Sequence, residues 1–165
     1  MKASLGLVLV LGAACQTAWA QKVPTFERYP AKVQTLKVHP AISETNLVKT
    51  ALDDAAAKGV NFGGHFVIAT WRIRRGPVSG GIMDAKTGRV FAPRELAKQP
   101  VGIECVHDVK NLMSFRASST LLIFNGAVPH PKRPDGPEVC RTYYYQWTGR
   151  RLVLLKEAPY SEPEE

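Results

Sequence analysis

The hydrophobic period of this chain changes once, near Val60, and that change limits the folds open to it. Before it, Leu47, Val48, Ala51, Leu52 and Ala55 recur at i, i+1, i+4, i+5 and i+8, the stripe of an amphipathic helix with one apolar face. The spacing predicts a helix over about residues 44–58. Ser43 is placed to cap its first turn, Glu44 suits the positive end of the helix dipole, and Gly59 is the expected terminator. Lys49, Asp53 and Lys58 read as its solvated face.

After Val60 the period is two, in short β-branched and aromatic blocks. His65–Arg72 and Gly80–Asp84 are predicted strands, the second turning through Ala85–Gly88 into Arg89–Phe91. Gly88 supplies the positive φ of that turn, and the Asp84 carboxylate suits its amides. Pro93–Ala97 reads as one helical turn and Thr120–Phe124 as a buried strand. Residues 125–139 hold four prolines and two glycines and read as a loop. Arg141–Trp147 then turns at Thr148-Gly149 into Arg151–Leu155. Upstream, residues 21–42 contain Pro24, Pro30 and Pro40 and no helical period. They read as an extended arm, with Val33–Val38 a short edge strand. Residues 157–165 are acidic and read as a frayed tail. The expected fold is α+β: an antiparallel β-sheet of hairpins with one N-terminal amphipathic helix packed on it, as a single domain over 43–156.

The first twenty residues read as an address. Lys2 gives a positive start, Leu5–Ala14 an apolar run, and Ala18-Trp19-Ala20 a small-residue exit site. A signal peptide over 1–20 is expected, and with it a periplasmic or secreted protein. A lipoprotein signal with Cys15 as the lipidated residue is the alternative, but Gly12 stands where that signal wants a large aliphatic residue. No second apolar stretch approaches the roughly 20 residues of a transmembrane helix.

Export leaves about 145 residues, enough for one domain with a core. The net charge is then one below the +8 of the full sequence. Such a balance points to an acidic protein or an anionic envelope polymer as partner, and solubility alone explains it equally well. Nucleic acid is not expected, because the compartment is wrong and no binding motif is present. Loss of Cys15 leaves Cys105 and Cys140 in an oxidising compartment, where one disulfide is expected. It would close a loop of about 36 residues, worth roughly 3–4 kcal/mol in loop-closure entropy. A reactive thiol is the alternative.

Few constellations carry chemistry. Cys105 with His107 and Asp108 has the residue types of a nucleophilic site. Residues i and i+2 of a strand lie roughly 7 Å apart, however, too far for direct proton transfer. His65 is open to three readings: a base, a ligand, or a polar residue bonded to backbone at the strand entrance. His65, Asp84 or His107 in one cleft would make an enzyme acting on envelope polymers. His39, His65, His107 and His130 show no metal-ligand spacing, and no Gly-x-Ser-x-Gly, His-Glu-x-x-His or phosphate loop occurs. No metal or cofactor is expected. Trp71, Trp147 and Tyr143–Tyr145 offer an aromatic platform for a glycan. Strand alternation sends Tyr143 and Tyr145 to one face and Tyr144 to the other, so at least one set serves the core.

Arg72, Arg74 and Arg75 form the most pointed partner-binding cluster, with no acidic residue between Val60 and Met83. Guanidinium forks suit carboxylates and phosphates; the alternative is a solvated loop. The expected protein is a non-enzymatic envelope module, inhibitor-like or immunity-like, that binds an anionic partner. A purely structural envelope component is a third reading.

Asn61-Phe62-Gly63-Gly64-His65-Phe66, a strand ending at Trp71, and Asp84-Ala85-Lys86-Thr87-Gly88-Arg89-Val90 together resemble a family of small exported bacterial proteins. Its members are similar in the order Asn-Phe-x-Gly-His-aromatic, Trp, then Asp-x-x-Thr-Gly-x-Val. A late aromatic strand and Trp-x-Gly turn match Tyr143–Gly149. The resemblance covers roughly residues 58–156 and implies a fold and an exported location but no activity. Relatives continue the Trp strand into Gly-Cys-Gly-(Thr/Ser)-x-Cys. Here that stretch is Arg72-Ile73-Arg74-Arg75-Gly76-Pro77-Val78, without either cysteine, so that loop's role is not carried over. Gly76-Pro77 limits backbone freedom there instead.

Overall fold

A computed structural model describes residues 22–43, 45–72, 78–97, 112–126 and 140–160. Its strands form two antiparallel sheets where one was expected. Phe66–Arg72 (β1), Val78–Asp84 (β2) and Val90–Phe91 (β3) pair in that order. Met113–Phe115 (β4), Leu121–Gly126 (β5), Arg141–Trp147 (β6) and Leu152–Pro159 (β7) make the second sheet, also in chain order. The helices are Asn46–Ala56 (α1) and the single turn Arg94–Ala97 (α2), with a 3-10 turn at Phe26–Arg28. The class is α+β, but the helical content is not one helix alone.

Two sheets form because both halves of the chain present large apolar residues that bury one another. Phe62, Phe66, Ile68 and Ile82 from the first sheet region meet Leu122, Phe124, Tyr143, Tyr145 and Trp147 from the second. The other face of the first sheet, through Val67, Ala69 and Met83, packs on Leu52 and Ala56 of α1. The first sheet is therefore covered on both sides, which is why Phe66-Val67-Ile68-Ala69 is one continuous buried run. β6 instead alternates buried and half-buried residues, as a sheet covered on one side does.

The helix begins at Asn46. Its N-cap is Thr45, whose side chain makes no capping bond, and the Ser43 hydroxyl accepts the Thr45 N–H at 3.3 Å in place of the expected cap. Leu47 is 44% exposed, contrary to its expected place on the buried face. At about 100° per residue, Leu47 lies some 140° around the helix from Leu52, so the two cannot share a seam. Asp53, expected in solvent, accepts the Ala41 N–H at 2.7 Å and pairs with Lys49. Those partners, the Ala41 amide first, hold its carboxyl below the usual range. Gly59, at φ +98°, ends the helix as expected.

Residues 33–38 form no strand. The arm is instead stitched to other segments by single backbone bonds: Gln34 N–H to the Gly64 carbonyl, His39 to Ala85 and Ile42 to Gly88, each 2.8 Å. Pro30 bridges Ser119, and the buried Ser119 hydroxyl lies within bonding distance of the Phe26 and Tyr29 carbonyls. β4 has no counterpart in the sequence reading. β7 continues through Glu157 to Pro159, opposite Tyr143 to Arg141, where a frayed tail was expected. No helix among the described residues is long and apolar enough to cross a membrane.

Candidate functional site

Two hairpin turns, one from each sheet, border an open groove of about 550 Å³. The first turn, Ala85–Gly88, is held by Asp84. The Asp84 Oδ1 accepts the Lys86 N–H at 2.9 Å, and its carbonyl accepts the Thr87 and Gly88 N–H groups. The arm crosses this turn so closely that a Cβ on Gly88 would run into the Pro40 carbonyl oxygen. That crossing sets Ile42 beside Arg89 as an isolated parallel bridge, with Ile42 72% exposed at the groove.

Arg89 is exposed, and its guanidinium carbon lies 5.0 Å from the Phe91 ring centroid, within cation–π range. Phe91 in turn meets Trp147 edge-on at 5.4 Å, which ties the groove floor to the core. The second turn, between β6 and β7, contributes Gly149 and the exposed Arg150. Neither Arg89 nor Arg150 forms an ion pair among the described residues, while Asp84 also lines the groove. The surface is thus cationic at two points, acidic at one, and apolar at Ile42, Val90 and Phe91.

His65 stands beside Asp84, as the alternative reading requires, but the geometry is loose. Its Nε2 is 3.9 Å from Asp84 Oδ1, beyond hydrogen-bond distance. The half-buried ring lies against Phe66 at 4.1 Å. Burial holds the imidazole below its ordinary pKa, Lys86 adds to this, and Asp84 opposes it. His65 is therefore neutral near pH 7. Its carbonyl accepts the Ala85 N–H at 3.0 Å, a structural role at the strand entrance.

Arg72 ends β1, exposed and opposite Val78. Arg74 and Arg75 lie outside the described residues, as do Cys105, His107 and Asp108. Cys140 is half-buried just before β6 and disulfide-bonded, and the chain's other two cysteines lie outside the described residues. The aromatic platform does not exist as such. Trp147, Tyr143 and Tyr145 are buried in the core, and burial raises the Tyr145 phenol pKa strongly. Trp71 lies over Gly81, where a Cβ would come within 2.9 Å of its ring. Only Tyr144 of the three tyrosines is half-buried on the outer face of its sheet. Among the described residues no three of His, Cys, Asp and Glu come together as a metal site would need.

The groove residues Ile42, Arg89 and Arg150 carried no local signal in sequence. Arg89 and Arg150 sit in ordinary turns about sixty residues apart, and only the packing of the two sheets makes them neighbours. No family model, no curated protein and no solved structure matches this chain.

Proposed function

We propose that this is an exported, non-enzymatic protein of the bacterial envelope that holds an anionic partner on a basic groove, as an inhibitor-like or immunity-like module. The observation that carries the reading is the placement of Arg89 and Arg150 in one groove without an ion pair among the described residues. A guanidinium already neutralised by a carboxylate has little left for a partner, whereas these two are free to take one. The surplus of 22 Lys and Arg over 14 Asp and Glu supports the same reading through long-range attraction. The leader at residues 1–20, the resemblance to small exported proteins and a Cys105–Cys140 disulfide belong to it. Arg72, with Arg74 and Arg75, is its second contact.

Binding of poly-glutamate and of dextran sulfate by the exported protein is the test. At least one should bind, weaken as salt rises, and weaken further with Arg89→Glu and Arg150→Glu together. Capture that survives both changes in a folded variant overturns the reading. The nearness of His65 to Asp84 favours a second reading, an enzyme on envelope polymers. Hydrolysis of peptidoglycan by the wild type, lost in His65→Gln, would establish it.

A further inference from the structure

We infer that the groove takes an acidic peptide segment carrying an apolar side chain beside its carboxylates, rather than a uniform polyanion; this rests on the anionic-partner reading above. The argument starts from Ile42. Few large aliphatic residues among the described ones are so exposed, and it borders the two free arginines. Its main chain is held in place: the Ile42 N–H donates to the Gly88 carbonyl, and the residue bridges Arg89. A preorganised apolar residue costs little further ordering when a ligand covers it.

The neighbouring chemistry fits the same occupant. Phe91 is half-buried, with the Arg89 guanidinium over its ring. A guanidinium held against an aromatic face keeps its in-plane N–H groups for a carboxylate. An apolar ligand side chain beside that carboxylate would then lie against Ile42 and the exposed part of Phe91. Asp84 completes the discrimination. Asp84 lines the groove, and its negative charge disfavours a chain of evenly spaced negative charges, yet a carboxylate can accept a peptide N–H. A polyphosphate or sulfated glycan would leave Ile42 wet and meet Asp84 with repulsion. A peptide can satisfy all three features at once.

Two labelled peptides of equal length and charge provide the test, Glu-Glu-Phe-Glu-Glu and Glu-Glu-Ser-Glu-Glu, with inorganic polyphosphate as the third probe. Fluorescence anisotropy with the full exported protein should show the phenylalanine peptide binding about tenfold more tightly than the serine peptide, the factor for covering one apolar side chain. It should also outcompete polyphosphate at equal charge. Ile42→Ser, a change at an exposed position, should bring the two peptides within about twofold of each other. Equal binding of the two peptides, or preference for polyphosphate, overturns this inference. If Arg89→Glu with Arg150→Glu still weakens every probe in those cases, the anionic-partner reading stands. Binding indifferent to the arginine changes overturns both.

Discussion

The Asn61 carboxamide occupies the place of a neighbouring strand beside Ile68: its Nδ2 donates to the Ile68 carbonyl at 2.9 Å, and its Oδ1 accepts the Ile68 N–H at 2.8 Å. β1 is an edge of its sheet, and these groups face away from β2. Two residues earlier, Phe66 exchanges backbone bonds with Phe62 on the same side. Side chain and backbone together close part of an edge that would otherwise invite strand pairing. Asn61→Ala leaves a buried donor and acceptor unpaired and should cost about 2–4 kcal/mol in denaturant unfolding. A loss under about 1 kcal/mol would mean that water replaces the carboxamide without penalty.

The helix seam makes a paired prediction. Leu52 is fully buried between α1 and the first sheet, and Leu47 faces out. Leu52→Ala should cost about 2–5 kcal/mol, and Leu47→Ala less than about 0.5 kcal/mol. Similar losses for both would show that Leu47 is covered in solution.

Two glycines with positive φ separate backbone strain from steric approach. Gly59 has nothing near its missing Cβ, so Gly59→Ala should cost roughly 1–2 kcal/mol for the left-handed conformation alone. Gly88→Ala adds a collision with the Pro40 carbonyl and should cost more. It should also speed hydrogen exchange at the Ile42 amide, whose acceptor is the Gly88 carbonyl. An unchanged Ile42 exchange rate would place the arm elsewhere in solution.

His65 sets a pH dependence of definite sign. Its folded pKa is depressed by burial and by Lys86, with Asp84 opposing, so the unfolded chain binds the proton more readily. Stability should fall as pH drops below the ordinary imidazole value of about 6.5, and level off below the lower folded pKa. His65→Gln should flatten that part of the profile in urea melts taken across this range. A wild-type curve in which stability rises on acidification would mean that Asp84 dominates after all.

The cysteine pairing is decided by mass. Protein purified without reductant should gain about two mass units on reduction, one hydrogen for each sulfur of a single disulfide, and peptide mapping should join Cys140 to Cys105. Reduction should lower stability by roughly 3–4 kcal/mol. Alkylation of Cys140 without prior reductant would sink the pairing.

Local chemistry alone decided the type of most elements. Gly59 stops the helix, Asp84 and Gly88 make the first hairpin turn, and Thr148-Gly149 makes the last, because turn geometry and short-range periodicity depend on residues only a few positions apart. Those signals placed β1, β2, β3, β5 and β6 within a residue or two, and β7 at its start. They could not say that the strands divide into two sheets. Alternation tells which side chains share a face but not what covers it, so Tyr143, Tyr145 and Trp147 read as readily as a platform as a core. Leu47 and Leu52 looked like one stripe until the contact with the sheet chose between them. The arm carries no period, and its course depends on single bonds to Gly64, Ala85 and Gly88, each distant in sequence. The groove is the furthest from local control. Arg89 belongs to the first sheet's hairpin and Arg150 to the second's, and only the packing of Phe66 and Phe91 against Trp147 brings those turns to a common edge.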